Sequence, residues 1–270
     1  MPRVELDGVS LYYEDEATGT PLVLLHGLGG SSRVWDQHVP ALAKHHRVIR
    51  PDLRGFGRSA RPPGPYSVEQ YAADLLAVLR GAGVEWVHLL GISLGGVIAQ
   101  RFALDHPWLV RGLILVSTSS EVNEKGTAAW RRLADLVESV GFNGRTIDPR
   151  RSVSPRFAEA HPERLQELAE QTRQCDPRAY AAAARAVAAY HYTDELRRLV
   201  HPVLILQGLD DQLTPPGGSV KMARAIPQSR LLFVANAGHN LPMERPEVFE
   251  SAVLSFLAGI DFTLASLAKL

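Results

Sequence analysis

The sequence predicts an α/β protein: an eight-stranded, mostly parallel sheet with helices on both faces and a helical cap inserted into it. Three observations predict it. Short apolar runs recur along the chain, and six of them lack polar alternation, as strands buried on both faces do. Amphipathic stretches of helical period separate most of these runs, which implies parallel pairing through crossover helices. One long interval, residues 119–201, has helix-like stretches and no convincing strand.

Taken in order, residues 3–7 and 11–14 read as an antiparallel hairpin turned at Gly8. The six buried-strand runs follow at 21–25, 47–51, 87–91, 112–117, 202–208 and 231–235. A helix is expected at 32–44, where Val34, Trp35, Val39, Leu42 and Ala43 recur at helical spacing. Another at 67–81 opens with the capping-box spacing Ser67-Val68-Glu69-Gln70. Further helices are expected at 94–105 and 246–257, and the apolar tail 259–270 is expected to pack as a short helix. Within the strand-poor interval the helical stretches are 124–140, 162–174 and 177–190. That interval, about eighty residues, exceeds a crossover of ordinary loop and helix length, so it reads as an insertion after the sixth strand. The expected division is a core of residues 1–118 and 202–270 and a cap of residues 119–201.

A chain of 270 residues suits one catalytic domain with an excursion. Lys+Arg and Asp+Glu balance at 29 each, so there is no electrostatic footprint for nucleic acid. Nor is there a basic run dense enough to hold an anionic membrane. Cys175 is the sole cysteine, which excludes an intrachain disulfide and points to a reducing compartment. The opening residues carry no apolar stretch of signal-peptide length, and no segment approaches a membrane span. A cytoplasmic protein with a small-molecule partner is expected.

The chemistry centres on Gly91-Ile92-Ser93-Leu94-Gly95-Gly96, where a buried strand ends and an apolar helix begins. A nucleophile on so sharp a turn is forced into strained backbone angles, with its oxygen exposed above the sheet. Close packing there leaves no room for side chains at positions 91 and 95. A serine hydroxyl needs a base within hydrogen-bond reach. Of ten histidines, His239 stands out, because its loop follows the last strand and leaves the same carboxyl edge of the sheet as Ser93. A carboxylate must hold the imidazole in its working tautomer. Asp210 and Asp211, at the end of the strand Val203-Leu204-Ile205-Leu206-Gln207-Gly208, emerge at that edge too, and residue chemistry leaves both open. An oxyanion needs two backbone N–H groups. Leu94 supplies one, and Leu28, in the flexible turn His26-Gly27-Leu28-Gly29-Gly30, is assigned the other. That turn lacks the Gly-x-Gly-x-x-Gly and Gly-Lys-Ser patterns of phosphate loops, which disfavours a nucleotide cofactor. No cluster of His, Cys or carboxylates has metal-ligand spacing, so neither cofactor nor metal is expected.

Outside the interval 119–201 the chain resembles the α/β-hydrolase superfamily. The resemblance rests on His26-Gly27-Leu28-Gly29, Asp52-Leu53-Arg54-Gly55-Phe56-Gly57-Arg58-Ser59, the Ser93 elbow, Gly208-x-x-Asp211-x-x-x-Pro215, and Gly238-His239 followed by Glu244-Arg245-Pro246. In that family the acid usually falls three residues after the glycine and four before a proline. Asp211 meets both conditions, so the resemblance implies Asp211. The Asp52–Ser59 stretch is similar to a structural loop of the family and is given no chemical role. The chain is similar to capped esterases and lactonases, including 3-oxoadipate enol-lactonases and acyl-homoserine lactonases, and to carbon–carbon hydrolases and cofactor-free haloperoxidases. Dehalogenases and epoxide hydrolases carry aspartate at the elbow, and Ser93 argues against both.

The expected function is therefore hydrolysis of small or medium apolar esters or lactones through a Ser-His-Asp acyl-enzyme mechanism. Two alternatives stand beside it. A carbon–carbon hydrolase would need a group for a second carboxylate, with Arg173 or Arg185 as candidates, although surface salt bridging is the more ordinary role for both. A slow-turnover small-molecule receptor would keep the triad without useful catalysis. Large apolar cap residues, Trp130, Leu133, Val137, Phe142, Tyr180 and Tyr190, are the candidates for pocket walls, and only a few of them are expected to face a substrate.

Overall fold

The computed structural model describes residues 2–143 and 146–267. Its strands are β1 (Arg3–Leu6), β2 (Val9–Glu16), β3 (Thr20–Leu25), β4 (His46–Pro51), β5 (Val87–Ile92), β6 (Val110–Val116), β7 (Val203–Gly208) and β8 (Ser229–Val234). They form one eight-stranded sheet in the order β1-β2-β4-β3-β5-β6-β7-β8. The pairs β1–β2 and β2–β4 are antiparallel, and every pair from β4 to β8 is parallel.

The helices are α1 (Val39–Leu42), α2 (Val68–Gly81), α3 (Leu94–Asp105), α4 (Glu124–Val140), α5 (Pro155–Ala160), α6 (Pro162–Arg173), α7 (Pro177–Ala186), α8 (Pro216–Ala225), α9 (Leu241–Glu244) and α10 (Pro246–Leu267). The absence of polar alternation in the central strands follows from two buried faces. Val23 and Leu25 of β3 join a core with α2 and α3, while Leu22 and Leu24 join a second core with Trp35, Leu42 and the α10 residues Phe249, Val253 and Leu257. The interval between β6 and β7 carries α4 to α7 and, among the described residues, no strand beyond an isolated bridge between Glu121 and His191. Among the described residues, no helix is long and apolar enough to cross a membrane.

Four expectations are corrected. The helix expected at 32–44 is a 3-10 turn at Ser32–Trp35 followed by the short α1. Pro40 explains the break, since its ring cannot follow a continuous helical turn but is tolerated where α1 begins. The run at 231–235 is not buried on both faces: β8 is the sheet edge, and Leu232 and Phe233 are each 39% exposed. The tail does not form a separate helix, because α10 runs unbroken from Pro246 to Leu267; residues 268–270 lie outside the described residues. Helix α7 also stops at Ala186, short of the expected 190.

Two buried histidines clamp α10. His38 Nδ1 lies 2.7 Å from Glu250 Oε1, and His88 Nε2 lies 2.9 Å from Asp261 Oδ1. Burial lowers the pKa of both imidazoles despite the carboxylates that oppose the shift. The folded chain thus binds fewer protons than the unfolded one around and below about pH 6.5. Stability is complete above that value and is lost as pH falls toward the lowered folded pKa. We expect Tm to drop between about pH 7.5 and 5.5, and a non-titrating His88→Asn variant to start lower but lose less. A flat Tm profile in the wild type would contradict this account.

Candidate active site

Ser93 joins β5 to α3 with φ 54° and ψ −118°, a region that residues with a Cβ rarely enter. The strain has a local cause. Strand and helix abut at this one residue, so the chain reverses within it. A Cβ at Gly91 would run into the Gly95 backbone, and one at Gly95 would run into the carbonyls of Leu25 and His26. Four hydrogen bonds hold the turn. The Ser93 N–H donates to the Val116 carbonyl at 3.0 Å, and its own carbonyl accepts from Gly96 N, Val97 N and Thr118 Oγ1 at 2.9–3.1 Å.

The sheet order explains why this edge opens. The chain passes from β3 to β4 on one side, then crosses to β5 on the other, which makes a switch point between β3 and β5. The loops leaving β3 and β5 diverge there and leave a crevice. Leu28 comes from the first loop, in a turn closed by Gly30 N–H on the Gly27 carbonyl at 3.1 Å. Leu94 comes from the second. As the first residue of α3, it has an N–H with no helical acceptor behind it.

Asp211 and His239 follow neighbouring parallel strands, β7 and β8, whose registered ends are Gly208 and Val234. The His239 Nδ1 is 2.9 Å from Asp211 Oδ2. A carboxylate only accepts, so the proton sits on Nδ1 and Nε2 is left as the basic nitrogen. Asp211 Oδ1 also accepts from the N–H groups of Leu213 and Thr214 at 2.8 and 2.9 Å, and Oδ2 from Thr214 Oγ1 at 2.7 Å. Burial raises the pKa of this carboxyl, but His239 and the Thr214 donors outweigh it and hold the group below the usual carboxylate range. Asp210 is only half-buried, and its N–H donates to the Ala237 carbonyl at 2.9 Å.

Leu28, Ser93, Leu94 and Thr214 line one cavity of about 380 Å³. Among the described residues, no group of three His, Cys, Asp or Glu side chains is placed to hold a metal ion. A family model described as the alpha/beta hydrolase fold matches residues 20–246. The chain belongs to the α/β-hydrolase family, and it is a hydrolase. It is 32% identical to a 2-hydroxy-6-oxo-2,4-heptadienoate hydrolase of Pseudomonas putida, over 94% of this chain and 95% of that one. It is 29% identical to 3-oxoadipate enol-lactonase 2 of Acinetobacter baylyi, over 88% of each. Among solved structures, a thermophilic esterase from Thermogutta terrifontis superposes with a TM-score of 0.90 at 32% identity, covering 96% of this chain and 98% of that one.

In this α/β hydrolase, Trp130 and Tyr190 line the Ser93 cavity. Val137 and Tyr180 are buried in the core, Leu133 packs against it, and Phe142 meets the Tyr180 ring edge-on at 5.1 Å. Arg185 is held by Asp135 and Glu138, and Arg173 by Glu170, so surface ion pairs engage both. Cys175 donates its thiol to the Gly29 carbonyl at 3.4 Å, and burial pushes its pKa up to about 11.

Several positioning residues escape a reading of the sequence alone. His26 Nε2 accepts from the Leu53 N–H at 3.0 Å, so Nδ1 carries the proton and donates to the Gly27 carbonyl at 2.8 Å. It ties the Leu28 turn to the 52–59 loop, where Asp52 accepts from Ser32 N and Arg58 N. Gln207 donates to Asp211 Oδ2 at 3.3 Å and to the Thr214 carbonyl at 3.2 Å, while its own oxygen accepts from Ser219. Glu244 accepts from Gly238 N at 2.9 Å and Ser154 N at 2.8 Å, fixing the loop that carries His239. His26 and Glu244 lay within the motifs that carried the resemblance, but nothing in their spacing gave their roles.

Proposed function

We propose that this hydrolase cleaves small or medium apolar carboxylic esters or lactones, with Ser93 as nucleophile, His239 as general base, Asp211 as its orienting acid, and the Leu28 and Leu94 N–H groups as the oxyanion hole. In the proposed cycle Ser93 Oγ attacks the carbonyl as Nε2 of His239 takes its proton. The returning proton leaves with the alcohol, and water then releases the acid from the acyl-enzyme. The observation that carries the reading is the cavity: its lining includes Ser93, Leu28 and Leu94 together, beneath apolar walls from Val97, Trp130 and Val187. Residues 119–201 act in this reading as a cap over the carboxyl edge of the sheet. The similarity to an enol-lactonase and to an esterase supports the choice of substrate class. An acyl-homoserine lactone is one member of that class.

A carbon–carbon hydrolase is the second reading, favoured by the similarity to the heptadienoate hydrolase. Against it, Arg173 and Arg185 are spent on surface ion pairs. Turnover of p-nitrophenyl acetate, butyrate and octanoate, then of a lactone panel, tests the proposal. No turnover on any of them refutes it and leaves the receptor or carbon–carbon reading.

Trp130→Ala should change the preference between acetate and octanoate by about tenfold or more, since each methylene that fits a pocket contributes about 1–3 kcal/mol. Val137→Ala, at a core position, should lower Tm and leave the profile alone. Equal profiles for Trp130→Ala and the wild type would make the cap a structural cover only.

A further inference from the structure

Among the described residues, two charged side chains line the Ser93 cavity, Glu121 and Lys221. They are each other's partners: the Lys221 ammonium donates to Glu121 Oε1. The two arrive from different places. Lys221 stands on α8, whereas Glu121 lies where the chain leaves β6 for the helical interval. The second oxygen of Glu121 accepts from Thr193 Oγ1 at 2.5 Å, and His191 Nδ1 lies 3.3 Å from it. Backbone bonds from Tyr192 N to the Ser120 carbonyl and from Val122 N to the Tyr190 carbonyl fix this neck independently of the carboxylate.

An ion pair this exposed adds little to stability, with Lys221 51% accessible. Its consequence is electrostatic. Among the described residues, Lys221 is the cation of the cavity lining, and the rest of that lining is uncharged apart from Glu121. We propose that Glu121 is a specificity-determining residue: by compensating Lys221 it sets the cavity for uncharged acyl groups, and without it Lys221 recruits substrates with a carboxylate at the far end of the acyl chain. This rests on the ester-hydrolase reading above. A carboxylate arriving from solution must displace one that is already tethered, and it meets the repulsion of Glu121 as it approaches. Hydrogen bonding from Lys221, then from Thr193, lowers the Glu121 pKa, so the compensation persists throughout the neutral range.

The test compares kcat/KM for p-nitrophenyl hydrogen adipate with that for p-nitrophenyl hexanoate, two acyl chains of equal length. Glu121→Gln keeps the shape and removes the charge. It should raise the adipate-to-hexanoate ratio by about tenfold, and added salt should erode the gain. Lys221→Gln should lower the ratio below the wild-type value, because Glu121 is then uncompensated. The double variant should return close to the wild type. A Glu121→Gln ratio within about twofold of wild type, or an equal rise in the double variant, overturns the proposal. Should Glu121→Gln fail to fold, Lys221→Gln decides alone, and an unchanged ratio there overturns it. Absence of hydrolysis of both esters by the wild type is a different failure, that of the ester-hydrolase reading.

Discussion

Ser93→Ala should lose ester hydrolysis by about a million-fold while keeping the fold, because the nucleophile of such a triad supplies nearly all of the covalent route. The structure separates the two effects. The bonds that hold residue 93 in place come from its backbone, from Val116 on one side and Gly96, Val97 and Thr118 on the other. Removing the hydroxyl leaves all of them. Alanine also keeps the Cβ, so the strain of φ 54° is retained, and Tm should match the wild type closely. Ser93→Gly makes the complementary point. Glycine enters this region without steric cost, so that variant should be equally inactive yet more stable than the alanine variant. Residual activity above about a few per cent in purified Ser93→Ala would remove Ser93 from the mechanism.

The position of Ser93 was legible because a single local constraint generates the whole pattern. A strand that must turn into a helix within one residue forces glycine at 91 and 95, and both leave their mark in the sequence. The central strands were legible for a related reason, since two buried faces leave an unbroken apolar run. Edges and breaks were not. The sequence of β8 is as apolar as that of a central strand, and only its place at the end of the sheet order exposes Leu232 and Phe233. Residues 32–44 carry a helical period, and one proline splits them. The positioning residues were hidden for a different reason. Ser154 and Glu244 are 90 residues apart, and Leu53 and His26 are 27 apart, so each contact exists only once the sheet has closed. The same holds for Glu121 and Lys221. Before folding they are an acid after a strand and a lysine in a helix, and the sheet brings them to one cavity.

Asp211→Asn should cut turnover by about ten-thousand-fold, the loss expected when the imidazole is held in the wrong tautomer. With a carboxylate at 2.9 Å, Nδ1 of His239 must donate. The amide oxygen of asparagine can still accept from Leu213 N and Thr214 N, as Oδ1 does in the wild type. Its nitrogen then faces His239, a donor where an acceptor stood, and drives the ring proton to Nε2. The base is lost while the Oδ1 bonds keep the loop in place, so the main defect should fall on kcat, with a smaller fall in Tm because Gln207 Nε2 and Thr214 Oγ1 lose the acceptor they had in Oδ2. Asp210→Asn should be milder by orders of magnitude, since the contact of Asp210 to the His239 loop runs through its backbone N–H. The pH dependence follows from the same geometry. Asp211 is held below the usual carboxylate range, so it stays ionised across neutral pH, and activity should not fall through loss of its charge anywhere in that range. A reversed ranking would make Asp210 the orienting acid. Two mild variants would refute an aspartate at this strand end altogether, and Glu121 could not simply replace it, because both of its oxygens are engaged by Lys221 and Thr193.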